Sequence, residues 1–374
     1  MSRSSHMKAI VIGAGPAGFG AAIGLAQCGC EVTVLEKQET LGSQRRGETI
    51  RADTHMERIL GRGFFEKIAI RKVNQRRYFS HTGLSWVERS IQNPNIIFSW
   101  PELIKELSRK ADEFGVKVLT GTEVRSFIRN SGKVRGVVAE NNNKEDEYPS
   151  DCVFSCGGCQ DPAAAYIGQD RNGIDMAAAK RLVTEYSGQD WQLEYHFHIK
   201  PEGMVIGVMF PRGNGEAEFI LMDTSAGSIS PPSFENFMQE HPRFRRLMEG
   251  TRTYYELKTM IPMGGVLKPF SPIAGLIMAG DAMGHVQSRG GSGIKTSFLI
   301  GHSGGAFAAK IMDSGGWTED KRVLFEKHMN NDRHVRELRH HNLIYGNLRP
   351  RIFKWIRSPA DMDMKWPLLK IALR

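Results

Sequence analysis

Short apolar runs separated by glycine-rich breaks predict most of the ordered framework of this chain. Lys8-Ala9-Ile10-Val11-Ile12 reads as a buried parallel strand. A helical run follows over 17–27, then a second strand, Glu31–Leu35, ending at Glu36. Far downstream, Gly275-Leu276-Ile277-Met278-Ala279 reads as another buried strand, followed at once by Gly280-Asp281. The cluster Gly290-Gly291-Ser292-Gly293 then opens a helical run over 294–311. In the middle, 203–210 and 217–222 read as two strands of a hairpin with Asn-Gly turn chemistry at Asn214-Gly215. Cys152-Val153-Phe154 is a further apolar strand, and 141–147 is a polar hairpin turn. His196 and His198 alternate on a strand, so both face one side, either a cavity or solvent.

The breaks carry the chemistry. Gly13-Ala14-Gly15-Pro16-Ala17-Gly18 stands between the first strand and its helix as G-x-G-x-x-G. Gly13 permits the tight turn, Gly15 lets backbone approach a pyrophosphate, and Gly18 lets the helix pack close to the strand. Glu36 falls about 20 residues on, where an acid binds ribose hydroxyls and repels a 2′-phosphate. The glycines alone are weak evidence; strand, glycines, helix, strand and acid in order are much stronger. The downstream stretch is matched to the same kind of ligand. The Asp281 carboxylate can accept from a ribityl hydroxyl. The helix start at Ile294, behind Gly290, Gly291 and Gly293, offers free N–H groups and positive dipole to a pyrophosphate.

Either half alone suits NAD. The two together resemble FAD-binding proteins of the hydroxylase and geranylgeranyl reductase type, over most of the chain. Arg46-Gly47-Glu48-Thr49-Ile50 looks like their flavin-proximal segment, and Arg51 like the early arginine near the FAD ribose or pyrophosphate. Residues 99–103 and 111–116 match the family's helix and following strand, and Ile261-Pro262-Met263-Gly264-Gly265 is closest to the reductase branch. The resemblance implies FAD held by Gly13, Gly15, Pro16, Ala17, Gly18, Glu36 and Lys37 on its ADP half. Arg46, Gly47, Glu48, Arg51, Val124 and Gly157 follow, with Gly280, Asp281, Gly290, Gly291, Gly293 and Ile294 on the flavin half. It also implies an α/β fold: a Rossmann-type FAD-binding lobe interleaved with an antiparallel β-sheet substrate lobe, plus C-terminal helices. The expected partition is 7–75, 97–185 and 260–312 for the FAD lobe, 76–96 and 186–259 for the substrate lobe, and 313–374 for a basic helical end.

Departures from the family pattern narrow the chemistry. Flavin hydroxylases carry Ala-Asp-Gly where this chain has Cys156-Gly157-Gly158, which weakens an NADPH-dependent hydroxylase. The halogenase motif W-x-W-x-I-P is missing. In the segment resembling "P-x-G-Y-x-W-x-F-P", Pro201, Phe210 and Pro211 are in place, but Ile206 and Val208 stand for the two aromatics. Ser288-Arg289 replaces the Pro of the later glycine motif.

Composition sharpens the setting. With 374 residues and 40 glycines, the chain is long enough for two lobes folded around phosphates. No apolar run approaches the ~18 residues of a membrane span. Residues 1–6, MSRSSH, resemble a vector-derived leader with Met7 as the natural start, and no signal peptide is evident. The five cysteines are too few and too scattered for a disulfide framework, so a reducing cytoplasm is expected. Cys156 and Cys159 form a CxxC that packs, acts as a redox pair, or supplies half a metal site. No second CxxC or His pair stands at usable spacing, and no metal is expected. The net charge of +9 is concentrated toward the end of the chain, where Arg333, Arg336, Arg339, Arg357 and Lys365 interleave with Leu343, Ile344, Trp355 and Trp366. That pattern suits a helix packed on the FAD lobe with a solvated basic face, a peripheral contact with an anionic membrane, or an acidic electron-donor protein. NAD(P)H is the alternative donor. No recognition motif accompanies the charge, which argues against nucleic acid.

The resemblance implies hydride transfer from reduced flavin to a carbon–carbon double bond of a hydrophobic, prenyl-like substrate, with a proton reaching the other carbon. Tyr78, His81, His285 and the Cys156/Cys159 pair can hold that proton. Aromatic hydroxylation, and electron transfer between a protein donor and a quinone, are the other reactions open to such a fold.

Overall fold

The computed structural model describes residues 7–89, 92–168, 176–188, 192–200, 203–225, 230, 233–288 and 290–372. Residues 1–6, Pro201 and Arg289 lie outside the described residues. Five short strands form a parallel sheet in the order Leu276–Met278, Cys152–Ser155, Lys8–Ile12, Glu31–Leu35, Lys117–Leu119. The central strand is buried on both faces, which is why it reads as an unbroken apolar run. The order sets the late strand two places from the first, so the turns that leave both strands open on one edge. That edge is where open α/β sheets bind ligands.

Two helices cover this sheet, Pro16–Gln27 and Ile294–Asp313, and they touch through glycine. A Cβ on Gly20 or Gly24 would lie 2.2 or 2.3 Å from the Phe298 or His302 carbonyl oxygen. On the facing helix, one on Gly301 or Gly305 would lie 2.4 or 2.3 Å from the Ala17 or Ala21 oxygen. The backbones therefore approach more closely than any side chain permits. This ties the first helix to the last segment of the cofactor lobe.

A three-stranded antiparallel hairpin sheet, Thr122–Asn130, Lys133–Asn141 and Lys144–Pro149, turns through Asn142 and Asn143 at φ 50° and 61°, as the polar run predicts. Gly47–Arg51, Asn95–Ser99 and Ala69–Val73 form another small antiparallel sheet beside the cofactor edge.

The largest sheet has seven strands: Thr253–Pro262, Met176–Glu185, Glu216–Asp223, Gly203–Gly213, Leu193–Lys200, Gln75–Phe79 and Ser85–Arg89. It is antiparallel except where Leu193–Lys200 pairs in parallel with Gln75–Phe79. Asn214 and Gly215, at φ 53° and 76°, make the predicted two-residue turn of its central hairpin. Met176–Glu185, expected with the cofactor lobe in 97–185, is instead an inner strand of this sheet, paired on both edges. Its buried run of Ala177, Ala178 and Ala179, with Leu182 and Val183, suits a strand covered on both faces.

One face of the large sheet carries Tyr78, Phe197, Ile206, Val208, Ile220 and Met222. The other, with Val205, Met209, Phe219 and Leu221, packs under Phe234–Glu240 and Pro242–Met248 through Phe234, Phe237 and Phe244. His196 and His198 do share a side, and it is this helix-covered one: their rings lie 5.2 Å from Phe244 and 6.0 Å from Phe237. Neither expected environment, cavity or solvent, applies.

The C-terminal helices divide their packing. Arg333–Trp355 contributes Val335 and Leu338 to the cofactor-lobe core. Pro359–Ala372 does not follow it. Met362 and Trp366 join the core of the large sheet, with Trp366 6.1 Å from Phe197, so this helix covers the substrate side. No helix among the described residues is long and apolar enough to cross a membrane.

Candidate active site

The glycine finger is built on contacts that only glycine allows. Gly13 sits at φ 91°, and a Cβ there would lie 2.6 Å from the Cys156 carbonyl oxygen. On Gly18 it would lie 1.9 Å from the Gly13 oxygen. Around Gly15, by contrast, nothing stands within 4 Å: its backbone faces open space. The helix that starts at Pro16 has no side-chain cap, so its first N–H groups are left for a ligand. Glu36 closes the rim. Its Oε2 accepts from the Ala14 N–H at 2.8 Å and its Oε1 from the Gln38 N–H at 2.9 Å. Lys37 beside it donates to Gln160 Oε1 at 3.2 Å.

The second glycine segment arrives at the same place. Gly280 takes φ 78°, and a Cβ on it would lie 2.8 Å from the Ala17 Cβ, so the two ends of the sequence are in contact here. Burial pushes the Asp281 carboxyl up, against the pull of Arg46. The helix Ile294–Asp313 starts at Gly293 with no side-chain cap. Both helix starts therefore present free donors to one cavity of about 1340 Å³. Gly13–Ala17, Glu36, Lys37, Val124, Gly157, Gly280, Asp281 and Gly290–Ile294 all line it, while Gly18 lies beneath the finger as packing. A cradle of open backbone with uncapped helix starts fits a dinucleotide; these residues can hold FAD.

His285 is placed elsewhere. It is fully buried and outside the cavity wall. Its Nδ1 accepts from the Gly280 N–H at 3.0 Å, and its own N–H donates to the Gly280 carbonyl at 3.1 Å. Burial, with Arg339 nearby, pushes the imidazole down to about 3, so it stays neutral. The residue braces the Gly280 turn from below and does not run along the flavin side as the sequence suggested.

The flavin-proximal segment carries a buried charge network that the sequence only half disclosed. Arg46 stacks on Trp100 at 3.8 Å and pairs with Glu48, and burial lowers the guanidinium's proton affinity. Glu48 in turn accepts from Arg181 Nη2 at 2.8 Å, and Arg181 Nη1 reaches Glu218 Oε1 at 3.0 Å. The other Glu218 oxygen accepts from the Gly47 N–H. Burial pushes the Glu218 carboxyl up. Sequence reasoning missed Arg181 and Glu218, which share their strands with Lys180, Glu185, Glu216 and Asp223. They bolt the Gly47 segment to the large sheet. Arg51 lines the cavity, but its Nη2 is held by Glu88 at 2.9 Å.

The rest of the cavity is an apolar wall. Tyr195, Phe197, Ile206, Val208, Phe210, Ile220, Met222 and Ile261 line it. The aromatics absent at 206 and 208 are supplied by the neighbouring strand, since Phe197 pairs with Ile206 and Tyr195 with Val208. Tyr78 lies stacked between Trp86 at 4.0 Å and Tyr195 at 5.1 Å, and its hydroxyl donates to Glu88 Oε2 at 2.9 Å. Burial raises the Tyr78 phenol, so its proton is held.

Cys156 and Cys159 are both free thiols on the cavity wall. Burial pushes the Cys156 thiol well up, with Asp161 adding to it, the reverse of an activated thiolate. The Cys159 thiol donates to the Met260 carbonyl at 3.3 Å. The aspartate missing at 157 has a counterpart four residues on: Asp161 accepts from the Gly157 N–H at 2.6 Å and from Ser155 Oγ at 2.8 Å. It organises the loop from beneath.

A two-lobed α/β architecture whose distant glycine segments converge on one dinucleotide cradle defines a flavin-type oxidoreductase fold. The chain belongs to the family described as "FAD binding domain", which matches residues 6–299. Its cofactor is FAD, and it is an FAD-dependent oxidoreductase. It is similar to the menaquinone reductase of Mycolicibacterium smegmatis, 26% identical over 84% of this chain and 78% of that protein. It is also similar to digeranylgeranylglycerophospholipid reductase 2 of Methanothermobacter thermautotrophicus, 25% identical over 82% and 78%. Among solved structures, a geranylgeranyl bacteriochlorophyll reductase-like protein from Thermoplasma acidophilum superposes with a TM-score of 0.80 at 16% identity, over 96% of this chain and 91% of that one. The resemblance to the geranylgeranyl reductase group and the expected fold class are both borne out.

Proposed function

We propose that this protein reduces a carbon–carbon double bond of a hydrophobic, prenyl-like substrate. The observation that carries this reading is the continuous aliphatic and aromatic wall facing the cofactor segments, from Tyr195 and Phe197 to Met222 and Ile261. Such a wall favours an extended hydrocarbon over a small polar molecule. The names of the relatives, reductases of menaquinone and of a digeranylgeranyl lipid, support the same substrate class.

In this reading the glycine finger, Glu36 and the helix starts at Pro16 and Ile294 hold FAD, which when reduced supplies a hydride. The Arg46–Glu48–Arg181 network fixes the flavin-proximal segment against the substrate wall. Tyr78, with its proton held at the cavity and Glu88 and Arg51 behind it, is the residue best placed to deliver the proton. Cys156 and Cys159 are the second source on that wall. Electrons come from NAD(P)H or an acidic donor protein. The exposed Leu343, Ile344 and Met364, set among exposed Arg333, Arg336 and Arg357, suit a peripheral contact with an anionic membrane from which such a substrate is drawn. Sedimentation with anionic vesicles at low salt, lost at high salt, checks that contact.

The test of the reaction is anaerobic. Photoreduced enzyme is mixed with isoprenoid alcohols, a menaquinone and an unsaturated archaeal-type lipid. Return of the oxidised flavin spectrum, with a product two hydrogens heavier, supports the reading. Flavin that is reoxidised only by air, with an oxygenated aromatic product, replaces it by a monooxygenase.

A further inference from the structure

Three histidines and a glutamate from three segments converge on the face of the large sheet away from the cavity. His81 lies on the turn after Gln75–Phe79, His198 on Leu193–Lys200, and His241 at the junction of Phe234–Glu240 and Pro242–Met248. One ring nitrogen from each falls within 4.8 Å of the others. His241 Nε2 is 3.3 Å from His198 Nδ1. Glu240 Oε2 is 3.4 Å from His198 Nδ1 and 3.5 Å from His81 Nε2.

Those separations have a specific meaning. Nitrogen and oxygen ligands lie ~2.0–2.1 Å from Zn²⁺, and a tetrahedron with such bonds has edges of ~3.3–3.4 Å. Three of the spacings already match that edge. The His81 nitrogen lies within 4.8 Å of those of His198 and His241, and rotation of the His81 side chain, which sits on a turn, shortens both distances. We propose that His81, His198, His241 and Glu240 form a tetrahedral Zn²⁺ site that staples the helix pair to the edge of the substrate sheet.

The surroundings suit a cation. Burial and the neighbouring His196, His198 and His81 push the His241 imidazole down to about 2, leaving a neutral ring with a lone pair to give. The Arg243 guanidinium is engaged by Glu194 at 2.5 and 3.1 Å, which offsets its charge. Glu240 is half exposed, which gives the ion a path from solvent. Four protein ligands leave no open position, so the site is structural and not catalytic. It would set the position of Gln75–Phe79, whose Tyr78 faces the cavity on the opposite side. The sequence hid it because the ligands come from three segments with no metal-ligand spacing.

The test uses the full FAD-loaded chain, dialysed against chelator. Zn²⁺ alone is titrated in competition with a chromophoric chelator. One equivalent is expected in the wild type, with no equivalent in His241→Gln and an affinity weakened at least about tenfold in Glu240→Gln. Thermal midpoints should rise with Zn²⁺ and not Mg²⁺ in the wild type, and should not rise with Zn²⁺ in His241→Gln. Equal binding in wild type and variants, or none in the wild type, overturns the site. Should the variants not fold, Co²⁺ decides on the wild type. Intense visible bands of a tetrahedral ion, displaced by one equivalent of Zn²⁺, support it, and their absence overturns it.

Discussion

The cofactor edge and the substrate sheet solve the same problem, holding a segment in place, by opposite means. At the cofactor edge the backbone itself is the contact surface: Gly13, Gly18 and the Gly20–Gly305 helix crossing bring main chain against main chain. On the substrate side, charge does the holding. Arg181 joins Glu48 to Glu218 across two strands and the flavin-proximal segment. Backbone contact of the first kind tolerates no added atom. Contact of the second kind tolerates change in shape but not the loss of one partner.

The largest expected effect breaks the first kind. Gly305→Val forces a side chain against the Ala21 carbonyl, 2.3 Å from the first added atom, and should cost more than ~3 kcal/mol in chemical denaturation. Gly15→Ala is the contrast. With nothing within 4 Å of the new methyl, stability should fall by less than ~1 kcal/mol while flavin binding weakens, read by fluorescence on dilution. If both variants lose stability alike, the division between packing glycines and ligand-facing glycines is wrong.

Next comes the charge network. Arg181→Met leaves the buried Glu218 carboxylate without its cationic partner, while Glu48 keeps Arg46, and should destabilise by ~3–5 kcal/mol. Adding Glu218→Gln should recover part of that loss, and simple additivity in the double variant would show that the pair is uncoupled.

Tyr78→Phe sharpens the comparison at the cavity. It keeps the stack with Trp86 and removes the proton held against Glu88. Turnover should fall at least ~100-fold with flavin content unchanged. Unchanged turnover would move the proton to the Cys156/Cys159 wall.

The smallest effect is read in pH. His285 is neutral in the fold, with its affinity for a proton pushed down to about 3, while an unfolded histidine titrates near ~6.5. A depressed value of this kind contributes stability above ~6.5 that is lost as pH falls toward 3. Unfolding takes up one proton there, so stability should drop by ~1.4 kcal/mol per pH unit from this residue. His285→Asn keeps an acceptor for the Gly280 N–H and should reduce the measured slope between pH 6 and 5 by that amount.

Legibility follows the same division. The finger from Gly13 to Glu36 and the stretch from Gly280 to Ile294 could be read because each is local: a turn, a helix start and a strand end fall within a few residues. The Asn214-Gly215 turn was legible for the same reason. His285 was near the right turn in sequence, but whether a side chain points above or below a turn is decided by packing. Its ring went under Gly280. Arg181 and Glu218 share their strands with Lys180, Glu185, Glu216 and Asp223, so nothing local marks them as the buried pair. The Gly20–Gly305 crossing requires two helices to be known as partners before its glycines mean anything.

The sequence by itself determined the parallel strands, the dinucleotide cradle and the choice of FAD, because those depend on backbone freedom and short-range periodicity that residues encode in place. The tertiary structure decided the rest. It put His196 and His198 under helices, set Pro359–Ala372 over the substrate side, and drew His81, His198 and His241 to one point. Each of these depends on the register between strands far apart in the chain. Register is settled by the burial of whole sheet faces together, which no single segment carries.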